Sequence, residues 1–79
     1  MTKDEVLRIV NIFKNNGVDS VTGKKISERA VWELLESIDK LMGYDEASEV
    51  IFAPEDFGLN KEATVEEIVN YIWDNAKIG

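Results

Sequence analysis

The fold is decided by residues 27–43, SERAVWELLESIDKLMG, in a chain of 79 residues. Ser27 is a favoured N-cap residue, and Gly43 suits the positive backbone angle that follows many helix C-termini. Between them the apolar residues recur at intervals of three and four, which places them on one face of a helix: Val31, Leu34, Leu35, Ile38, Leu41 and Met42. The stretch therefore predicts an amphipathic helix over residues 27–42.

Further helices are predicted from the same signals elsewhere in the chain. Capping boxes, in which a Thr is followed three residues later by a Glu, occur at Thr2-Glu5 and Thr64-Glu67. Together with apolar periodicity, such signals predict helices over residues 3–16, 45–53 and 64–77. Pro54 ends the third of them, and a strand over Val50–Ala53 is the alternative. The predicted fold class is all-α, a compact four-helix bundle that forms a single helical domain over residues 1–79.

Two irregular loops connect the predicted helices. Residues 17–26, GVDSVTGKKI, mix glycine with turn-forming and β-branched residues, so this loop contains either a short turn or a pair of extended strands. Residues 54–63, PEDFGLNKEA, predict a turn that packs Phe57 and Leu59 against the core.

The composition excludes several kinds of chemistry. The chain has no cysteine, which rules out disulfides, thiolate metal sites and cysteine nucleophiles. It has no histidine either, so a nucleophilic serine or threonine would lack its usual base. We therefore predict a protein that is not an enzyme and that holds no cofactor or metal. The N-terminus lacks the apolar run of a signal peptide, and no stretch approaches the roughly 18 apolar residues of a membrane span, so a cytoplasmic location is expected.

The net charge of −7 is unevenly distributed along the chain. Up to Arg29 there are six basic and four acidic residues, whereas from Ala30 onward there are three basic and twelve acidic residues. A field of this sign repels nucleic-acid backbones and anionic membranes and attracts basic protein surfaces. The predicted partner is therefore a protein with a basic surface, with no direct binding of nucleic acid or membrane.

One segment resembles the calcium-binding loop of EF-hand proteins. Its oxygen-bearing residues match loop positions 1, 5, 9 and 12: Asp56, Asn60, Thr64 and Glu67. However, Lys61 stands where an EF-hand loop needs glycine, and Gly58 brings no side-chain oxygen to position 3. Because calcium takes about six to eight oxygen ligands, we predict no metal site here and assign Thr64 and Glu67 to a helix cap.

The chain also resembles acyl carrier proteins. It shares their length, acidity and four predicted helices, with a last helix that begins at Thr64-Val65 and contains Tyr71-Ile72. In that family a serine in an Asp-Ser-Leu motif at the start of the second helix carries a phosphopantetheine arm. This chain has Ile26-Ser27-Glu28 at that place. The resemblance implies an acyl-carrier-like protein without a recognisable carrier motif, which is the alternative function.

The candidate functional residues form an acidic, aromatic surface. Trp32 falls about 120° from the centre of the apolar stripe of its helix, beside Glu36 and Asp39. An exposed tryptophan among carboxylates is typical of a docking anchor. The run from Asp45 to Asp56 holds five acids and no base, and is either an ordinary solvated turn or an electronegative docking patch. The predicted partner-binding residues are Trp32, Glu36, Asp39, Asp45, Glu46, Glu49, Glu55 and Asp56.

These observations together predict a small acidic protein-binding module. We expect a regulator or inhibitor that docks a basic protein surface, for example that of a nucleic-acid-binding protein, and whose acids could mimic phosphates. Four apolar residues lie beside the apolar stripe of their helix: Leu7, Ile12, Tyr71 and Trp73. They either widen the core of a small bundle or form the interface of a homodimer.

Overall fold

The computed structural model describes residues 1–43 and 46–76. Within these ranges the chain forms four α-helices, a two-stranded antiparallel sheet and one 3-10 helix. In chain order these are α1 (Lys3–Lys14), β1 (Val18–Asp19), β2 (Lys24–Lys25), α2 (Glu28–Met42), α3 (Glu46–Phe52), the 3-10 helix (Pro54–Phe57) and α4 (Val65–Asp74). The predicted helical character is confirmed, whereas the small sheet lies outside an all-α description.

Side-chain caps start three of the helices where the sequence predicts them. Thr2 Oγ1 accepts the backbone N–H of Glu5 at the start of α1, and Ser27 Oγ accepts that of Ala30 at the start of α2, both at 3.2 Å. At the start of α4 the capping box is complete, because Thr64 and Glu67 each accept the backbone N–H of the other at 3.2 Å. Each of these bonds satisfies a donor that the helix leaves unpaired at its N-terminus.

The first predicted loop is a β-hairpin, which corrects the all-α prediction. Val18 pairs with Lys25, and Asp19 pairs with Lys24. The turn between the strands is fixed by Asp19, whose Oδ1 accepts the backbone N–H of Val21 at 3.0 Å and whose carbonyl accepts that of Gly23 at 2.7 Å. An aspartate that bonds to the backbone two residues later is a common way to build a turn.

The helix ends differ from the predicted bounds by up to three residues. The first helix ends at Lys14 rather than residue 16, because Asn16 and Gly17 take positive φ angles of 55° and 87° that turn the chain out of the helix. Val50–Ala53 is helical as far as Phe52, which excludes the strand alternative. α4 ends at Asp74, three residues before the predicted bound. Residue 77 itself, like the predicted start of the third helix at Asp45, lies outside the described residues.

The four helices pack as two pairs around one core. α1 packs mainly on α4, and α2 packs mainly on α3. Seven large side chains are fully buried where the pairs meet: Val6, Val10, Leu35, Ile38, Val50, Ile68 and Ile72. Phe57 and Leu59 pack against this core from the second loop, as predicted. None of the helices among the described residues is long and apolar enough to cross a lipid bilayer.

Candidate functional site

Three aromatic side chains form a row where the C-terminal ends of α1 and α3 meet the N-terminal half of α2. The ring of Phe13 lies between the other two, with its centroid 6.4 Å from that of Trp32 and 5.1 Å from that of Phe52. The interplanar angles of 66° and 87° are those of edge-to-face packing, which aromatic pairs favour. Trp32, Phe13 and Phe52 are named here the aromatic row.

The outer two rings of the aromatic row remain accessible to solvent. Trp32 is 47% exposed and Phe52 is 58% exposed, whereas Phe13 is half-buried between them. Large apolar side chains are usually buried when the core has room for them. Two aromatic rings that pack on a neighbour and still remain accessible are therefore typical of a binding surface. The structure therefore agrees with the predicted outward position of Trp32.

A cleft opens beside the indole of Trp32. It has a volume of about 370 Å³, and its walls come from the end of α1, from β2 and from the start of α2. Its apolar lining is provided by Phe13, Ile26, Val31 and Trp32. A Cβ atom on Gly17, which also lines the cleft, would lie 3.4 Å from the carbonyl oxygen of Ile26, and the φ of Gly17 is 87°. That distance is an ordinary contact, so glycine is favoured here by its positive φ, which other residues rarely adopt.

Four of the predicted carboxylates are exposed and lie close to Trp32 or Phe52 in the sequence. Glu36 is one helical turn after Trp32, Glu49 is one turn before Phe52, and Glu55 and Asp56 follow Phe52 in the 3-10 helix. These four residues, Glu36, Glu49, Glu55 and Asp56, are named here the acidic rim. Among the described residues the ion pairs are those of Arg8 with Asp19 and of Arg29 with Glu33, so no basic side chain there neutralises the acidic rim.

Asp39 is buried, which removes it from the predicted partner-binding surface. Its Oδ1 accepts the backbone N–H of Ser48 at 2.8 Å and the Ser48 hydroxyl at 2.9 Å, and its Oδ2 accepts the same hydroxyl at 3.0 Å. The carboxylate therefore satisfies a donor in the first turn of α3 and joins that helix to α2. The sequence carried this signal, because Asp39 lies four residues after Leu35 and three before Met42, which are both buried.

Besides the buried Asp39, one more predicted residue is not part of the described surface, and the aromatic row includes two residues that were not predicted. Asp45 lies outside the described residues, and Glu46 is the first residue of α3. Phe13 and Phe52 belong to the surface although sequence reasoning did not select them. The helical repeat of α3 could have identified Phe52, because Ala47, Val50 and Ile51 occupy the buried side and leave the next position turned outward.

An ion pair between the buried Asp19 and the half-exposed Arg8 joins the hairpin to α1, on the side of β1. Asp19 is 5% exposed and accepts hydrogen bonds from Nε of Arg8, at 3.1 Å, and from its Nη2. The hydrogen bond from Arg8 is the main reason why the pKa of Asp19 lies below its usual value, and the same bond raises the pKa of Arg8. Because both groups are already paired, we assign them to the architecture of the hairpin.

The structure also shows the positions of the residues that the acyl-carrier and metal-binding alternatives require. Ser27, at the place of the acyl-carrier serine, is exposed and caps α2 through its hydroxyl oxygen. Among the described residues, no three carboxylates come together in a way that could hold a metal ion. Comparisons of the chain with protein-family models, with curated proteins and with solved structures find no match.

Proposed function

We propose that this protein is a small acidic binding module that docks a basic surface of another protein. The contact surface consists of the aromatic row and the acidic rim, and the proposal also includes the acids Asp45 and Glu46, which precede Glu49 in the sequence. The observation that carries the proposal is the accessible pair of rings, Trp32 and Phe52, which both pack on Phe13, together with acids nearby in the sequence that form no ion pair among the described residues.

The two parts of this surface have different tasks in binding. Aromatic residues dominate interface hot spots, where truncation to alanine costs at least about 2 kcal/mol of binding free energy. The rings of the aromatic row would supply this affinity by losing their contact with water. The acidic rim would act earlier, because charges around an interface mainly raise the rate of encounter with a partner of opposite sign.

A regulatory role follows from the sign of the charge. Lysine and arginine residues that bind phosphates on a nucleic acid are also attracted by a carboxylate-rich surface. A protein with a net charge of −7 can therefore occupy such a surface and compete with the nucleic acid for it. On this proposal the protein is a regulator or inhibitor of a basic partner, and it binds no nucleic acid itself.

The first experiment identifies the partner and then tests the acidic rim. Capture from native lysate at low and at high salt, followed by mass spectrometry, selects proteins whose retention falls with salt. Association rates are then measured for the variant in which the four acids of the acidic rim are replaced: Glu36→Gln, Glu49→Gln, Glu55→Gln and Asp56→Asn. We expect the association rate at low salt to fall by about tenfold or more and its salt dependence to flatten.

A matched variant controls for net charge alone. It neutralises four exposed acids that belong to the first turn of α1, to α4 and to the loop before α4: Asp4→Asn, Glu62→Gln, Glu66→Gln and Asp74→Asn. Both variants change the net charge equally, so a difference between them reports the position of the acids. Equal association rates for the two variants, or wild-type rates for the acidic-rim variant at low salt, would contradict the proposed surface.

A further inference from the structure

We propose that the partner contributes an amphipathic α-helix that lies along the aromatic row. On this proposal one apolar side chain of the helix enters the cleft beside Trp32, and its lysine or arginine residues face the carboxylates near Phe52. The inference rests on the proposed docking function. It specifies which structural element of the partner is bound and where the apolar anchor and the basic residues of that element lie.

The length of the aromatic row fits the repeat of a helix. Centroid separations of 6.4 and 5.1 Å limit the distance between the outer rings to about 11.5 Å, and seven residues of an α-helix rise about 10.5 Å, which lies within this limit. Apolar residues at positions i, i+3 or i+4, and i+7 of one helix face could therefore each contact one ring. A helix satisfies its own backbone hydrogen bonds, whereas a strand needs the exposed edge of a sheet to pair with. The aromatic row lies on three helices and offers no such edge, so a helix is the better fit.

The charges beside the aromatic row indicate where the basic residues of the bound helix lie. At the cleft, Lys25 and Glu28 are of opposite sign and both line its wall. Phe52, at the other end of the row, lies three residues after the exposed Glu49 and three before the exposed Glu55, and the exposed Glu36 lies one turn after Trp32 on α2. A segment whose apolar anchor fills the cleft and whose basic residues lie toward Phe52 is therefore complementary to the whole surface.

The same charges disfavour a second copy of this chain as the occupant. Two molecules that pair through this surface would bring two acidic rims together, and each molecule carries a net charge of −7. Like charges that face one another across an interface lower the affinity and slow the encounter. A cationic helix from a different protein avoids both effects.

The test uses a designed peptide in place of the unknown partner. The probe is an amphipathic helix of roughly 18 residues, about five turns, made of leucine and lysine. Its control has the same composition, with leucine spread around all sides of the helix. The protein carries Trp73→Phe, so that Trp32 is the sole indole of the chain and its fluorescence reports binding at the cleft. We expect the amphipathic peptide to bind at least tenfold more tightly than the control peptide.

Two substitutions separate the aromatic row from the exposed apolar surface elsewhere. Phe52→Ala should weaken binding of the amphipathic peptide by about tenfold, and far-UV circular dichroism should show an intact fold because this ring is 58% exposed. Val21→Ala removes apolar surface at the hairpin tip, where the side chain is 71% exposed, and should leave the affinity unchanged. A Glu36→Lys, Glu49→Lys variant should lose affinity for the leucine-lysine peptide and gain it for a leucine-glutamate peptide of the same pattern.

Each outcome of these titrations decides between the proposals. If both peptides bind equally and neutralising the acidic rim weakens both, the docking function stands and the helix proposal is wrong. If binding depends on neither Phe52 nor the acidic rim, both proposals are wrong. If the protein alone doubles its mass with concentration, and Phe52→Ala abolishes this, a second copy covers the aromatic row and the helix proposal is overturned.

Discussion

The contact between Asp39 and Ser48 should be one of the most sensitive polar contacts in the molecule. The carboxylate of Asp39 accepts both the backbone N–H and the hydroxyl of Ser48, at 2.8 and 2.9 Å, and it is buried between α2 and α3. Replacing Asp39 by alanine removes these bonds and leaves a donor in the first turn of α3 without its partner. α3 carries Phe52 one turn after Ser48, so the same change should disturb the aromatic row.

The magnitude follows from the kind of bond that is lost. A hydrogen bond to a charged group contributes about 1.5–3 kcal/mol to stability, so we expect Asp39→Ala to lower the free energy of unfolding by about 2 kcal/mol. For a domain of this size a loss of about 1 kcal/mol lowers the melting temperature by roughly 4–8 °C, so Asp39→Ala should lower it by roughly 8–16 °C. Ser48→Ala keeps the backbone bond and loses the hydroxyl bond, so its cost should be about 1 kcal/mol.

A double-mutant cycle, followed by urea denaturation and circular dichroism, measures the coupling between the two side chains. The double variant should be about as unstable as Asp39→Ala alone, which gives a coupling energy of about 1 kcal/mol. Glu36→Ala is the matched control, because Glu36 lies one turn earlier on the same helix and is exposed, and its effect should stay within about 0.5 kcal/mol. Asp39→Ala with a stability equal to that of Glu36→Ala would refute the structural role assigned to Asp39.

Three further predictions concern the hairpin, the start of α2 and the acyl-carrier alternative. The pKa of Asp19 is lowered in the fold, mainly by the hydrogen bond from Arg8, so its contribution to stability is complete above the unfolded-state pKa of about 3.9 and is lost as the pH falls through the lowered value. Asp19→Asn should therefore reduce stability at pH 7 and flatten its decline in acid, and urea titrations that show a decline as steep as in the wild type would contradict this. Ser27 caps α2, so Ser27→Ala should cost about 1 kcal/mol of unfolding free energy. Incubation with coenzyme A and a phosphopantetheinyl transferase should leave the intact mass of the wild type unchanged, and a shift by the mass of the arm would favour the acyl-carrier alternative.

The parts of the fold that sequence reasoning predicts are those that depend on neighbouring residues. Thr2, Ser27 and Thr64 start helices as predicted, because a cap needs only a side chain and a backbone donor two or three residues later. Apolar periodicity likewise identifies the buried faces, since Leu35 and Ile38 are both buried. For residues 17–26 the sequence left a short turn and a pair of strands as alternatives. Strands of only two residues are too short to show the alternation of apolar and polar residues that would identify them.

The candidate site was predicted only in part, because it depends on contacts between distant residues. Trp32 and Glu36 are exposed as expected, yet the packing of Phe13 against Phe52 joins residues 39 positions apart in the chain. The helical wheel predicts Asp39 on the surface because it falls beside Trp32 and Glu36, about 120° from the centre of the apolar stripe. Its partner Ser48 belongs to the next helix, and no pattern within α2 reveals it.

The aromatic row is assembled from three separate stretches of chain that come together only after folding. A ligand bound across it therefore recognises the native state and not the denatured chain, which shifts the unfolding equilibrium by mass action. At a free concentration of one hundred times the dissociation constant, this shift amounts to about 2.7 kcal/mol. A domain of this size has little stability in reserve. Its half-life against proteases inside a cell would then rise and fall with the abundance of whatever it binds.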